Sequence, residues 1–193
     1  MLLLGSRLLD TPVMGLQTGS ELARSARAII DPRSLAIVAY ELSGPLLDQH
    51  PSLLRIQDIR ELSDLGMIVD SSDEFISPSD VIKLQQIYEF HFDLIGLAVI
   101  DEKKRKLGKV SAYTIEASSF VIEQLNVRRP LLKSLADTEL LVHRSQIIEV
   151  NDTSIIVKSA NNKQIEPVTK LVRQYSNPFR AAQPQPENIT RPR

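Results

Sequence analysis

Two stretches of this chain, ARAIIDPRSLAIVAYEL (26–42) and SAYTIEASSFVIEQLNV (111–127), carry one pattern 85 residues apart. Each reads as two short apolar strands joined by a polar turn. The correspondence runs beyond the stretches themselves. Leu22 meets Leu107, Ile30 meets Ile115, Ser34 meets Ser119, Ile37 meets Ile122, and Pro45-Leu46-Leu47 meets Pro130-Leu131-Leu132. After a three-residue insertion the offset becomes 88. Ile59 then meets Ile147, Glu61 meets Glu149, Asp64 meets Asp152, and Ile68-Val69 meets Ile156-Val157. Positions 22–47 hold 7 identities in 26 and positions 54–69 hold 5 in 16. Random pairing at ordinary composition gives roughly one in 16. A repeat of this period divides most of the chain into two similar units.

Within a unit, alternation and β-branched residues indicate strands. Ile37, Ala39 and Glu41 alternate with Val38, Tyr40 and Leu42, and Pro, Gly, Asp and Ser bound the runs. SIIVKS (154–159) is short and flanked by polar residues, which favours a strand over a helix. Several strands in about 70 residues suggest a small barrel or sandwich, and a barrel removes exposed edges. At an offset of 89, Ile76 meets Ile165 and Pro78 meets Pro167. A helix is predicted beyond each proline. In the first, Ser77 is the expected N-cap and Pro78 the first helical residue, with an apolar face of Val81, Ile82, Leu84, Ile87 and Tyr88. In the second, Val168, Leu171, Val172 and Tyr175 form that face.

The expected fold is therefore mainly β: two tandem small β-barrels, each followed by a short helix, with a disordered C-terminal tail. The expected organisation is a first barrel over 1–76, a helix and linker over 77–91, a second barrel over 92–160, a C-terminal helix over 161–175 and a flexible Pro-rich tail over 176–193.

The segments LGSRLLDTPVM, LARSARAIIDPRSLAIVAYEL and LLRIQDIRELSDLGMIV resemble the PRC-barrel family, named for the photosynthetic reaction centre. The second copy, LIGLAVIDEKKRKLGKVSAYTIEASSFVIEQLNV through VHRSQIIEVNDTSIIVKS, resembles it more clearly. Leu107-Gly108-Lys109-Val110 matches the family's G-x-V at the start of the central hairpin, and Asp31-Pro32 matches its turn. Ala23 stands where copy one should have glycine, and Glu116-Ala117 replaces Asp-Pro in copy two. Asp31, Pro32 and Gly108 are thus structural turn candidates. The resemblance covers roughly 3–76 and 92–160. Members include the cytoplasmic domain of the reaction-centre H subunit and the C-terminal domain of a ribosome maturation factor. It implies a strongly bent barrel used for docking, usually to another protein.

No catalytic residues, metal ligands or cofactor are indicated. His50, His91 and His143 are scattered, without the convergent partners a zinc site needs. No nucleophile-elbow or phosphate-loop pattern occurs. GLQTGSEL (15–22) reads as a turn between strands and DSSDE (70–74) as a solvated turn. Cys is absent, which fits a reducing compartment. Leu2–Leu4 is too short an apolar run for a secretory signal, and no stretch suits a membrane span. The expected location is the cytoplasm, without membrane insertion.

Charge separates the copies. Residues 1–76 hold six Arg, no Lys and eleven acids, or 6 − 11 = −5, whereas 93–165 hold eleven bases and nine acids, or 11 − 9 = +2. The surplus gathers in Lys103, Lys104, Arg105 and Lys106, expected at a hairpin tip, and in Arg128, Arg129 and Lys133. These are the candidate binding residues, for an acidic protein face or for RNA phosphates. No aromatic residue interleaves with them to stack on bases. A third reading opposes the acidic copy to the basic one, steadying a pseudo-twofold pair. Leu46, Leu47, Leu131 and Leu132 are candidate apolar docking residues, because a leucine doublet in a strand puts one member off the barrel core. Leu53-Leu54 and Leu140-Leu141 pose the same question. The leading function is a non-enzymatic adaptor that binds another protein. The alternatives are an RNA- or ribosome-associated assembly factor and a subunit of a photosynthetic or other membrane complex. A homo-oligomer is a further option.

Overall fold

The computed structural model describes residues 1–129 and 139–159. Leu131, Leu132, Lys133, the expected second helix and the tail lie outside the described residues. Chain order is β1 (Leu2–Leu4), β2 (Pro12–Gly15), β3 (Glu21–Asp31), β4 (Ala36–Ser43), β5 (Leu53–Arg55), β6 (Glu61–Ser63), β7 (Gly66–Val69), β8 (Phe75–Ile76) and α1 (Ile82–Glu89). Then follow β9 (Ala98–Asp101), β10 (Lys106–Glu116), β11 (Val121–Arg128), β12 (Glu139–His143), β13 (Ile147–Val150) and β14 (Ser154–Val157).

The two copies share one topology. The first has the strand order β5-β4-β3-β2-β7-β6 and the second β12-β11-β10-β9-β14-β13. The single parallel pairing recurs in each, as β2 with β7 and β9 with β14. Even the irregularities repeat. β3 breaks register between Ser25 and Arg27 and between Ile29 and Ile30, and β10 does so between Val110 and Ala112 and between Thr114 and Ile115. Bulges bend a strand and raise its twist, which lets such short sheets curl.

The expected closure into barrels is not observed. β5 and β6 do not pair, nor do β12 and β13; a 3₁₀ turn separates each pair, at Ile56–Asp58 and at Arg144–Gln146. In the first copy β8 pairs with β5, Leu53 opposite Ile76 and Leu54 opposite Phe75, and so takes the edge that closure would use.

The core follows the repeat position by position. Leu8, Val13, Ile30, Ile37, Leu42, Leu54, Met67 and Val69 belong to one contiguous buried cluster with Leu94, Val99, Ile115, Ile122, Val127, Val142, Ile155 and Val157. Burying each such side chain contributes about 1.5–3 kcal/mol. The copies join at their central hairpin tips. Ala36 pairs with Val121, the Ile37 N–H donates to the Phe120 carbonyl at 3.0 Å, and the Ile122 N–H donates to the Leu35 carbonyl at 2.8 Å. Ala36 and Val121 are equivalent positions, 85 apart, and the two hydrogen bonds exchange the equivalent pairs Ile37/Ile122 and Leu35/Phe120 about them, so the junction is a pseudo-twofold bridge. The Tyr40 ring meets Phe120 edge-on at 6.4 Å. β1 adds a second link by pairing with β10 of the other copy, Leu3 opposite Ile115.

α1 covers the outer face of β3, β4 and β5. Leu84, with Val81, Ile87 and Tyr88, packs on Ile29, Ala39 and Leu53. The helix begins later than the sequence predicts. Pro78–Asp80 forms a 3₁₀ turn, its Asp80 carboxylate accepting from the Ser77 N–H at 2.7 Å, and α1 proper starts at Ile82. Ile82 is not on the apolar face; it is 76% exposed. The extended backbone at Val81 rotates the helix away from the phase that a continuous start at Pro78 would set.

Candidate functional site

The cationic candidates of the second copy lie on the β9–β10 hairpin and the adjoining end of β11. The tip, Glu102–Arg105, is built by Asp101. Its carboxylate accepts from the Lys103 and Arg105 N–H groups, both at 2.9 Å, and from Arg105 Nε at 2.7 Å. Lys104 takes the left-handed conformation, φ 59°, that the tight turn demands. Asp101 is almost wholly buried. Burial pushes its carboxyl up, but the hydrogen bonds from Arg105 and Lys103 outweigh this and hold it below the usual carboxylate range.

The cations therefore divide. Arg105 folds back onto Asp101, its Nη2 2.6 Å from Oδ2, and serves the turn. Lys103, Lys104 and Lys106 are exposed at the tip. Farther along β10, Lys109 stands directly opposite Arg128 of β11, with Arg129 next in the chain. Glu139 faces Arg128 from β12 and tempers that end. Cross-strand neighbours lie about 5 Å apart at Cβ, so Lys109 and Arg128 form a pair that the primary sequence separates.

The turn candidates are placed on the two hairpins. Asp31 Oδ1 accepts from the Arg33 N–H at 3.0 Å, fixing the Pro32 turn. A Cβ at Gly108 would sit 2.2 Å from the Arg128 carbonyl oxygen, so close strand approach requires glycine there. In copy one the absent side chain has moved across the ladder: Gly44 faces Ala23, with a Cβ-to-Cα separation of 3.4 Å if Gly44 carried a side chain.

The leucine doublets resolve differently from one another. Leu54 enters the main core and Leu53 lies under α1, both fully buried. Leu46 is 66% exposed while Leu47 packs on the core, and Leu141 is 54% exposed. The reading in which opposite charges join the copies is corrected. Among described residues, the ion pairs between side chains lie within one copy: Arg24 with Glu21 and Asp10, Arg27 with Glu41, Arg55 with Asp58, Arg60 with Asp70, Arg105 with Asp101, and His143 with Glu123. The pair between copies joins the Met1 ammonium of the first to Glu116 of the second, the opposite polarity to that reading. Backbone and apolar contacts make most of the junction. Arg144 reinforces it by donating to three carbonyls, Ser34 at 2.7 Å and Leu35 and Ile122 at 3.3 Å.

One feature escaped the sequence reading. A cleft runs along α1 in two adjoining cavities. The larger, about 370 Å³, lies between Val38, Ile56, Val81 and Leu84; the smaller, about 170 Å³, lies between Pro32, Arg33, Gln86 and Phe90. Lys83 and Ile87 border both. The available signal was Lys83, a cation set four residues before Ile87 on an otherwise apolar flank.

Among described residues, no three His, Cys, Asp or Glu side chains converge as metal ligands, and no helix is long and apolar enough to cross a membrane. No family model matches the chain, and no curated protein matches it. Among solved structures it is similar to a putative 16S ribosomal RNA processing protein, RimM, from Pseudomonas aeruginosa. The identity is 17%, covering 83% of this chain and 98% of that one, with a TM-score of 0.29.

Proposed function

We propose that the protein is a non-enzymatic docking module of the cytoplasm, a tandem relative of the PRC barrels, whose second copy engages an acidic face of a protein partner. The observation that carries this reading is the exposed basic strip: Lys103, Lys104 and Lys106 at the tip, followed by the Lys109–Arg128 cross-strand pair. A two-stranded projection held rigid by Asp101 presents these charges at little entropic cost, since the turn is ordered before binding. Such a strip speeds encounter with an acidic surface and selects against basic ones. The same cations would meet RNA phosphates, but the strip offers no aromatic platform for bases.

The test is affinity capture from native cell extract at about 0.15 M salt, where the Debye length is near 8 Å. Intact protein is compared with the triple variant K103E/K104E/K106E. A stoichiometric protein partner that survives ribonuclease and is lost in the variant supports the proposal. Recovery that depends on RNA transfers the role to nucleic-acid binding. Equal recovery by both proteins overturns the assignment of the strip.

A further inference from the structure

We propose that the cleft along α1 is a second, separate docking site, and that it takes a short extended peptide of a partner in which an acidic residue stands between two aliphatic ones. The floor of the larger cavity is aliphatic, with Ile37, Val38, Ile56, Val81, Leu84 and Ile87, and the smaller offers Pro32, Ile87 and Phe90 beside Asp31, Arg33, Lys83 and Gln86. Its two cavities adjoin across Lys83 and Ile87. An extended chain sends alternate side chains to the same side, with about 6.6 Å between them. Two aliphatic side chains at positions i and i+2 would each fill one cavity. The residue between them then points away from the floor, toward solvent at the rim, where the long and exposed Lys83 side chain can reach it.

The charge of the rim selects the occupant. Arg33 borders the small cavity and Lys83 both, and both side chains are exposed. Among described residues neither has a carboxylate within ion-pair distance. The remaining charged neighbours are committed elsewhere. Arg55 is paired with Asp58 at 2.5 Å, and Asp31, nearly buried, receives the Arg33 N–H. Two uncommitted cations over an apolar floor complement an aliphatic–acidic–aliphatic segment. This cationic rim sits on the copy whose overall charge is negative, so the attraction is local to the cleft.

The probe is the capped peptide acetyl-Gly-Leu-Glu-Ile-Gly-amide, titrated into the full chain and followed by amide chemical shifts. Movement of the Val38, Ile56, Lys83 and Ile87 signals is expected, saturating at millimolar peptide as befits a short ligand. Lys83→Glu and Arg33→Glu each change an exposed side chain and leave the fold intact. Each weakens binding about fivefold, the scale of one rim ion pair. A Leu-Lys-Ile peptide binds more weakly than Leu-Glu-Ile by a similar factor. K103E/K104E/K106E leaves the titration unchanged, which separates this site from the basic strip. The proposal is overturned if no signal in the cleft moves up to about 5 mM peptide, or if the lysine peptide binds as well as the glutamate one.

Discussion

Asp101 shows how one buried residue can organise an exposed, charged turn. Its carboxylate is buried, and its negative charge is compensated by three donors from the following turn. Without those bonds the three cations Lys103–Arg105 would rest on only two backbone hydrogen bonds of the turn, Asp101 N–H to the Arg105 carbonyl and Lys104 N–H to the Asp101 carbonyl. The linkage has a definite sign. A carboxyl held below its unfolded value, about 3.9, stabilises the folded turn at all pH above that value. The contribution disappears as pH falls through the lowered folded value. Amide exchange at Lys103 and Arg105 should therefore stay slow from neutrality to about pH 4 and accelerate below it, ahead of exchange in the core strands. Asp101→Ala should leave both amides fast at neutral pH, whereas Asp101→Asn, whose Oδ1 can still accept from them, should keep protection and abolish only the acid step. Acid-independent protection in the native protein would remove Asp101 from its role as organiser of the tip.

The two central hairpins turn through residues of unusual type. Leu35 has φ 48° and Phe120 has φ 54°, yet both are side chains of the core, each 5% exposed. Glycine would enter this conformation freely, whereas an L residue is strained by roughly 1–2 kcal/mol. The strain persists because the apolar side chain bridges the copies, as Phe120 does against Tyr40. The expected consequence inverts a usual rule. Leu35→Ala and Leu35→Gly both lose the buried side chain, at about 2–5 kcal/mol, but glycine also relieves the backbone. Leu35→Gly should thus be more stable than Leu35→Ala by about 1 kcal/mol in urea titrations; the opposite order would place the strain elsewhere. These elements also show what sequence could reveal. The strands, the repeat and the Asp31-Pro32 turn were legible because alternation and turn chemistry are local. The missing closure was not, because β8 claims the β5 edge through a pairing of residues some twenty positions apart. Neither was the Lys109–Arg128 pair, since a register spanning two bulges cannot be counted from one strand. The phase of α1 was missed for a smaller reason: Val81 is extended and separates the 3₁₀ turn at Pro78 from the helix proper. The cleft depends on where that helix finally rests, and so lay beyond any reading of its apolar face.

At the scale of the molecule, the described residues form two copies of one sheet that share a core rather than two independent beads. The buried cluster runs without a break from Leu8 and Val13 to Ile155 and Val157. The bridge at Ala36 and Val121 joins their backbones, and β1 of one copy lies on β10 of the other. Unfolding either copy would expose the apolar side chains of its neighbour, so the two should melt together. Arg144 is the side chain best placed to test this coupling. Its guanidinium belongs to the second copy and holds the Ser34 and Leu35 carbonyls of the first, together with Ile122 of its own copy. Hydrogen bonds from a charged donor contribute about 1.5–3 kcal/mol in total at sites where the acceptors lose water. Arg144→Ala should cost about that much, and Arg144→Lys most of it, since one ammonium cannot span three carbonyls. The decisive readout is cooperativity. The native protein should show one urea transition by far-ultraviolet circular dichroism and by fluorine labels placed at Tyr88 and Tyr113, one in each copy. In Arg144→Ala the Tyr113 and Tyr88 transitions should begin to separate. Coincident transitions in the variant, with the midpoint merely lowered, would mean that the shared core alone enforces the coupling and that Arg144 only adds stability.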